Sequence, residues 1–272
     1  MYKLALAPVS AVGIALALTI LPVAAQSEAT VDVLYAGSLV TPMESAIAPA
    51  LRSRGIDFAG EPGGSKKLAN FIAAGVRTPD VFISADPALV AALKDRVASA
   101  TNFARTKLGI AWTDKSRYAA VLANVGPGKA SLLAALSTPG LVIGRTDPKL
   151  DPKGVYTVLA IKEIAGTENE RRLFGDDENK DQIFPEEDLL ARTELGEVDV
   201  GFFYQTEALA RHLHFVPLPA GKASTVTYTL AIMKNAPHPD RARAFADFIL
   251  TGAGRGLLEA AGLEYVTAPG SR

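Results

Sequence analysis

The chain of 272 residues contains 28 basic side chains, 29 acidic side chains and no cysteine. This near balance of charge offers no basic surface typical of nucleic-acid binding. The missing cysteine excludes disulfides, thiolate metal sites and a lipid-modified cysteine.

The first 25 residues have the order of a targeting segment. Lys3 is the one basic residue in 1–25, and a long apolar stretch follows it and ends in Val23-Ala24-Ala25. We interpret 1–25 as a secretory signal peptide cleaved before Gln26. About 20 apolar residues could also form an uncleaved membrane anchor, but Ala, Gly and Pro dilute this stretch. The sequence therefore predicts a soluble periplasmic protein that is not lipid-anchored.

Strand-like and helix-like segments alternate after residue 30. Predicted strands lie at Val31–Tyr35, Asp57–Gly60, Val81–Ser84, Leu108–Trp112, Leu141–Gly144, Val200–Tyr204, Phe215–Pro217 and Thr225–Met233. Alternation of this kind predicts an α/β fold with mainly parallel sheets flanked by helices. Two strings predict helix starts with a proline at the first position, Thr41-Pro42-Met43-Glu44 as a capping box and Asp86-Pro87.

Two Gly-Ser strings lie at strand-to-helix turns. Ala36-Gly37-Ser38-Leu39 follows the first strand, and Gly63-Gly64-Ser65 precedes a helix predicted from Lys66. Such turns present a hydroxyl and backbone N–H groups at the positive end of a helix, where anions bind. Carboxyl ends of parallel strands share one sheet edge, so one oxyanion between the two turns is predicted. Ser65 could instead be only the N-cap of its helix.

Five short segments, taken in chain order, resemble those of a known family. They are Leu34–Leu39, Gly64-Ser65, Pro79–Asp86, Asp147–Gly154 and Glu197–Tyr204. Together they resemble the molybdate/tungstate-binding proteins of ABC importers, above all the branch first known from archaea. The similarity covers residues 30–266. It implies a two-lobed periplasmic-binding-protein type II fold with the ligand cleft between the lobes. Hinge motion would close that cleft.

The resemblance also implies lobe boundaries on this chain. Lobe one would combine residues 26–110 with residues 215–272, and lobe two would comprise residues 111–214. The first crossing between lobes is expected near Leu108–Trp112, and the return is expected near His214–Pro217.

Eight residues match the family's ligand contacts, namely Gly37, Ser38, Ser65, Asp151, Pro152, Lys153, Glu186 and Tyr204. Glu186 is placed by spacing, because the family's acidic ligand precedes the tyrosine by about eighteen positions, and the adjacent Glu187 leaves the register open by one. Asp151 could alternatively only cap the helix predicted at Pro152.

The carboxylates of Asp151 and Glu186 bear on ligand choice. An ionised carboxylate can only accept hydrogen bonds, so it repels a dianion. Unit charges about 4 Å apart cost about 4 kcal/mol at an effective dielectric near 20. Bonding of the carboxylate oxygens to the metal centre relieves this repulsion, and molybdenum(VI) or tungsten(VI) can add oxygen ligands while sulfur in sulfate cannot. The two acids are therefore expected to select molybdate and tungstate, with no other cofactor.

One string departs from the family pattern. The family commonly continues Asp-Pro-x-Gly with Tyr-Arg, whereas this chain has Gly154-Val155-Tyr156-Thr157. Lys153 could supply the missing positive charge.

Other classes of function fit the sequence less well than transport. A hydrolase with Ser38 as nucleophile lacks the second glycine of the usual elbow and a suitably placed histidine. A ferric-ion binder would need a second clustered tyrosine, and Tyr35, Tyr156 and Tyr204 do not obviously converge. A sensory module or a binder of another small anion stays open. We predict a monomeric binding protein, not an enzyme, that passes its oxyanion to the membrane permease of an ABC importer and has no nucleic-acid partner.

Overall fold

A computed structural model describes residues 30–126, 128–175, 179 and 181–266. The predicted signal peptide at 1–25 lies outside the described residues. Within these ranges the strands are β1 Val31–Ala36, β2 Phe58–Gly63, β3 Val81–Ser84, β4 Val97–Trp112, β5 Ile143–Gly144, β6 Val200–Tyr204, β7 His214–Pro217, β8 Thr225–Met233 and β9 Glu264–Tyr265.

The helices in the same ranges cover both faces of the sheet. They are α1 Val40–Pro42, α2 Ala48–Arg52, α3 Ser65–Ala73, α4 Pro87–Ala92, α5 Ala119–Ala123, α6 Leu132–Leu136, α7 Pro152–Ala165, α8 Thr167–Phe174, α9 Glu186–Leu195, α10 Gln205–Ala210, α11 Pro239–Leu250 and α12 Ala253–Ala260. Short 3₁₀ turns lie at Gly37–Leu39 and Lys94–Arg96, and a π-helical turn at Met43–Ile47 joins α1 to α2. No helix within the described ranges is long and apolar enough to cross a membrane.

The strands form one continuous sheet in the order β2-β1-β3-β8-β4-β6-β5, and β7 and β9 also pair with β4. Among the described strands, three pairs are parallel and five are antiparallel. The sheet is therefore mixed, and the expectation of mainly parallel pairing was wrong. The reason is β4, which takes part in four of the five antiparallel pairs.

The long strand β4 connects two parts of the sheet. Residues Val97–Lys107 pair with β8, while Leu108–Ala111 pair with β6 and Gly109–Trp112 pair with β7. The chain returns across the same region, since Leu108 N donates to Ser224 O and Leu218 N donates to Leu108 O. The lobe boundaries given above stay a prediction.

Alternation along β1 shows why its run of apolar residues forms a central strand. Val33 and Tyr35 pack into one core, and Leu34 packs into a second core on the opposite face with Leu68 and Phe82. A strand buried on both faces is continuously apolar, as this one is except at Asp32. Helices therefore cover both faces near β1, and the turns after β1 and β2 are left at the sheet edge.

One predicted helix start was correct and one was wrong. Asp86 caps α4, since its Oδ1 accepts from Ala88 N at 2.8 Å. Thr41 does not cap a helix, because helical structure already begins at the Gly37–Leu39 turn and Thr41 lies inside it. Glu44, expected in the capping box, instead accepts a hydrogen bond from Tyr35 Oη at 2.6 Å.

Candidate functional site

Helices begin at the carboxyl ends of β1, β2 and β6, and these starts carry half of the predicted site residues. The Gly37–Leu39 turn follows β1, α3 begins two residues after β2, and α10 begins directly after β6. The starts of α7 and α9 approach from the segment between β5 and β6. Through the strand pairs that link them, β6 runs opposite to β1, so the carboxyl ends of the two strands face each other across a cleft. The cleft gathers backbone donors and polar side chains at the carboxyl ends of strands, where α/β proteins bind ligands.

Gly37 and Ser38 form the turn after β1. Ser38 is buried, and its Oγ lies 2.8 Å from Tyr228 Oη on β8. A Cβ at Gly37 would overlap Oε2 of Glu186, at the start of α9. The absence of a side chain at Gly37 thus lets the Glu186 carboxyl reach the backbone of this turn.

Ser65 is the first residue of α3, and Gly64 is its N-cap. Its Oγ accepts a hydrogen bond from Ala85 N at 3.1 Å and is buried. The alternative in which Ser65 caps a helix starting at Lys66 was therefore wrong. A hydroxyl that accepts from an N–H keeps its own proton for donation, so Ser65 can still serve a ligand.

Asp151 caps α7, since its Oδ1 accepts from Lys153 N at 2.8 Å. This backbone donor is therefore engaged within the cap, and Pro152 carries no N–H to offer. Burial, followed by the charge of Glu186, raises the pKa of Asp151 to about 7. The capping role is confirmed, and the role of Asp151 as a ligand stays a prediction.

Lys153 is completely buried at the centre of the acidic groups. Its Nζ lies 2.9 Å from Glu186 Oε1 and 2.6 Å from Glu207 Oε1. Burial disfavours its charge, but the carboxylates of Glu186, Glu207 and Asp151 outweigh burial and hold the pKa of Lys153 above its usual value. The ammonium group is thus bound between two acids and is not left open to an anion.

Glu207 was missed by the sequence interpretation. Its Oε2 accepts from Tyr204 N at 2.7 Å, so it ties the end of β6 to the first turn of α10. Burial is the main reason that the pKa of Glu207 rises to about 8, against the opposing effect of Lys153. Its position three residues after Tyr204 is the spacing of a glutamate that bonds back to a helix N-cap, and this signal could have identified it.

Tyr204 lies beside Tyr228, and the two ring centroids are 6.4 Å apart in a T-shaped arrangement. The buried Tyr204 Oη has no hydrogen-bond partner among the described residues. Burial raises the pKa of both phenols, so each stays protonated and able to donate. The expectation that tyrosines do not converge holds for Tyr35, which bonds Glu44, but it overlooked Tyr228.

Two cavities flank the Glu186 side chain. The smaller, of about 120 Å³, is lined by residues that include Gly37, Ser38 and Glu207. The larger, of about 310 Å³, is lined by residues that include Gly64 and Asp151. Both linings include Glu186, so its side chain lies between the cavities, whereas Ser65, Lys153 and Tyr204 line neither cavity.

The segments before β4 meet the start of α7 outside the charged cluster. Lys67 N donates to Leu150 O at 3.3 Å, and a Cβ at Gly64 would lie 2.7 Å from the same carbonyl oxygen. The hydroxyl of Tyr156, on α7, bonds the Asp86 carboxylate, and burial together with that acid raises the pKa of Tyr156 to about 12. The two sides of the cleft are therefore in direct contact.

Comparisons with known proteins give a consistent result. The family model of bacterial extracellular solute-binding proteins matches residues 31–264. A putative ABC transporter molybdenum-binding protein of Haloferax volcanii is 33% identical over 212 residues, which cover 74% of this chain and 67% of that protein. The molybdate/tungstate-binding protein WtpA of Pyrococcus abyssi is 26% identical, with 90% of this chain and 87% of that protein covered.

The fold resembles a solved structure as well. The periplasmic molybdate-binding protein of Azotobacter vinelandii superposes with a TM-score of 0.69 at 17% identity, covering 87% of this chain and 99% of that one. At this identity the likeness supports the fold alone. The predicted α/β, two-lobed periplasmic-binding-protein type II fold is confirmed.

Proposed function

Because the chain belongs to the bacterial extracellular solute-binding proteins, we propose that it captures molybdate or tungstate in the periplasm and delivers it to the permease of an ABC importer. The ligand is carried unchanged, so the protein is not an enzyme in this proposal. The names of the relatives from Haloferax volcanii and Pyrococcus abyssi support the choice of ligand.

The observation that carries the proposal is the approach of Glu186 to Gly37 across the cleft. Its carboxyl reaches the turn that holds Ser38, and the charge of Glu186 also acts on Asp151. Two carboxyl groups near hydroxyl donors suit an anion whose central atom accepts carboxylate oxygens, because hydroxyls donate to the outer oxygens while the acids bind the centre.

The donors of the proposed site come from both sides of the cleft. Ser38 and Ser65 lie before β4, and Tyr204 lies after it at the end of β6. The buried Tyr204 hydroxyl has no partner among the described residues, and an unmet buried donor is unfavourable unless a ligand uses it. We therefore assign Tyr204, with both serines, to hydrogen bonding of the oxyanion. Gly37, Asp151 and Glu186 line the cavities, and Pro152 and Lys153 support them from the start of α7.

A second candidate ligand is ferric iron, and the contact of Tyr204 with Tyr228 is what favours it. Phenolate and carboxylate oxygens are hard ligands that suit Fe(III). Two facts weigh against iron. Tyr228 Oη is already hydrogen-bonded to Ser38, and burial raises the pKa of both phenols. Deprotonation of these tyrosines is thereby opposed.

Calorimetric titration of the purified, anion-free protein tests the proposal. Tungstate and molybdate are expected to bind at least about a hundredfold more tightly than sulfate, which corresponds to about 2.7 kcal/mol. The physical reason is that only the two metal centres accept the carboxylate oxygens. Ferric citrate serves as the competing ligand, and tight iron binding without tungstate binding would favour the second candidate.

Replacement of Ser38 or Ser65 by alanine is expected to reduce tungstate binding by about 1.5–3 kcal/mol, because each removes a hydrogen bond to a charged oxygen. The thermal midpoint of the anion-free protein reports on stability in the same variants. Ser116→Ala is the matched control, since Ser116 is buried and bonds Asp199 and the Tyr118 backbone away from the cleft. A Ser65→Ala protein that loses stability but keeps its affinity would contradict the role assigned to Ser65.

A further inference from the structure

The charged cluster at the two cavities contains more acid than base. Asp151, Glu186 and Glu207 supply three carboxyl groups, and Lys153 supplies one ammonium group. Among the other cations near the cavities, Lys67 is exposed, and Arg211 is half exposed and pairs with Glu194 at 3.7 Å. Arg145 is buried, but its guanidinium packs over the Phe174 ring and lines neither cavity. Lys153 is thus the buried cation that contacts the acids of this cluster, and an entering anion would be balanced against it.

The Lys153 ammonium has three hydrogen-bond donors, and two of them are directed to acids. Glu207 Oε1 lies 2.6 Å from Nζ, closer than Glu186 Oε1 at 2.9 Å. Glu207 cannot easily turn away, because its other oxygen accepts from Tyr204 N and its side chain is 6% exposed. Glu207 therefore holds the cation alongside Glu186 and neutralises it when the Glu207 carboxyl is ionised.

This neutralisation has unequal consequences for different anions. An anion that can only accept hydrogen bonds, such as sulfate or phosphate, meets two carboxyl groups and an ammonium group, that of Lys153, which is already paired with acids. An anion whose centre bonds carboxylate oxygens gains from Glu186 and Asp151 directly and depends less on Lys153. A free Lys153 would help the first kind more than the second.

We propose that Glu207 is a specificity-determining residue, which excludes sulfate-like anions by neutralising Lys153. It acts through Lys153 and is not itself a ligand. This inference rests on the proposed function, because it assumes an anion coordinated at its centre.

The variant that tests the inference is Glu207→Gln, which keeps the size of the side chain and removes its charge. Titrations with sodium tungstate, and with tungstate in competition with sodium sulfate, are run at about pH 9, above the raised pKa of about 8, so that Glu207 is ionised in the wild type. Sulfate affinity is expected to rise about tenfold or more, and the tungstate-to-sulfate ratio to fall by about the same factor. An unchanged ratio would overturn the inference.

Two further variants separate charge from scaffolding. In the double variant Lys153→Met/Glu207→Gln the freed cation is absent, so the gain in sulfate affinity is expected to vanish, and a persisting gain contradicts the proposal. Glu207→Asp keeps the charge and is expected to keep strong discrimination against sulfate. If the Glu207→Gln variant does not fold, Glu207→Asp is measured in its place. A loss of selectivity in this variant, which keeps the charge, would refute the role of charge.

Glu170→Gln is the matched control, because Glu170 is a buried glutamate on α8 outside both cavity linings. It is expected to leave both affinities unchanged, and a selectivity loss equal to that of Glu207→Gln would overturn the inference. The proposed function is contradicted by a different result. If the wild type does not bind tungstate, the function is wrong, whereas a selective wild type with an equally selective Glu207→Gln variant removes only the inference.

Discussion

Replacement of Glu186 by glutamine is expected to weaken tungstate binding by about a hundredfold or more, because a neutral amide is a poorer ligand for the metal centre. The opposite sign is expected if Glu186 only stands near the anion. In that case the substitution removes a repelling charge and adds a donor, so that binding becomes tighter. Calorimetry of the variant distinguishes the two cases by sign alone.

Asp151→Asn gives a second measurement of the same kind. Asparagine is as good an N-cap as aspartate, so α7 keeps its cap while the carboxylate is lost.

Glu187→Gln is the matched control for Glu186→Gln, because Glu187 is the exposed neighbour of Glu186 and lines the same two cavities. X-ray absorption at the tungsten edge checks coordination independently, and four undistorted oxygen neighbours would exclude carboxylate bonding.

Replacement of Gly64 by alanine is expected to lower tungstate affinity by about tenfold to a hundredfold without unfolding the protein. The new Cβ would lie 2.7 Å from Leu150 O. This oxygen is a backbone atom, so it cannot avoid the clash by a change of side-chain rotamer. The start of α3 must then move away from the loop before Asp151, which separates the two sides of the cleft. Calorimetry gives the affinity, and small-angle scattering of the tungstate-loaded protein reports the wider cleft.

Gly256→Ala is the control for Gly64→Ala, because nothing lies within 4 Å of a Cβ at this helical glycine. It is expected to leave affinity unchanged and to raise stability by about 0.5–1 kcal/mol, since alanine loses less backbone entropy than glycine in a helix. A Gly64→Ala protein with wild-type affinity would show that contact with Leu150 does not govern ligand capture.

Most of the strand positions could be predicted because each depends on a short apolar run. The predicted bounds at Val81–Ser84, Val200–Tyr204 and Thr225–Met233 agree with the structure. The first half of β4 could not be predicted, because Ala98–Asn102 is exposed and lacks an apolar alternation. Pairing with β8 makes this segment a strand, and that pairing is a contact with residues more than a hundred positions away.

The candidate site also has features that local sequence predicts and features that depend on distant residues. Its turns and caps at Ser38, Ser65 and Asp151 were found because strand-to-helix turns and N-caps depend on residues a few positions apart. The hydrogen bond of Ser65 to Ala85, 20 residues on, replaced the capping role that local sequence suggested. Local patterns located these residues, and distant partners decided what their side chains do.

The amino-acid sequence by itself determined the alternation of strands and helices, the Gly-Ser turns and the acid that caps α7, because each is set by neighbours along the chain. Only the tertiary structure decided that Lys153 meets Glu207, 54 residues away, and that Ser38 meets Tyr228, 190 residues away. The physical reason is that such contacts depend on which strands pair and in what register. A buried ammonium group finds its counter-charge only after the chain has folded around it.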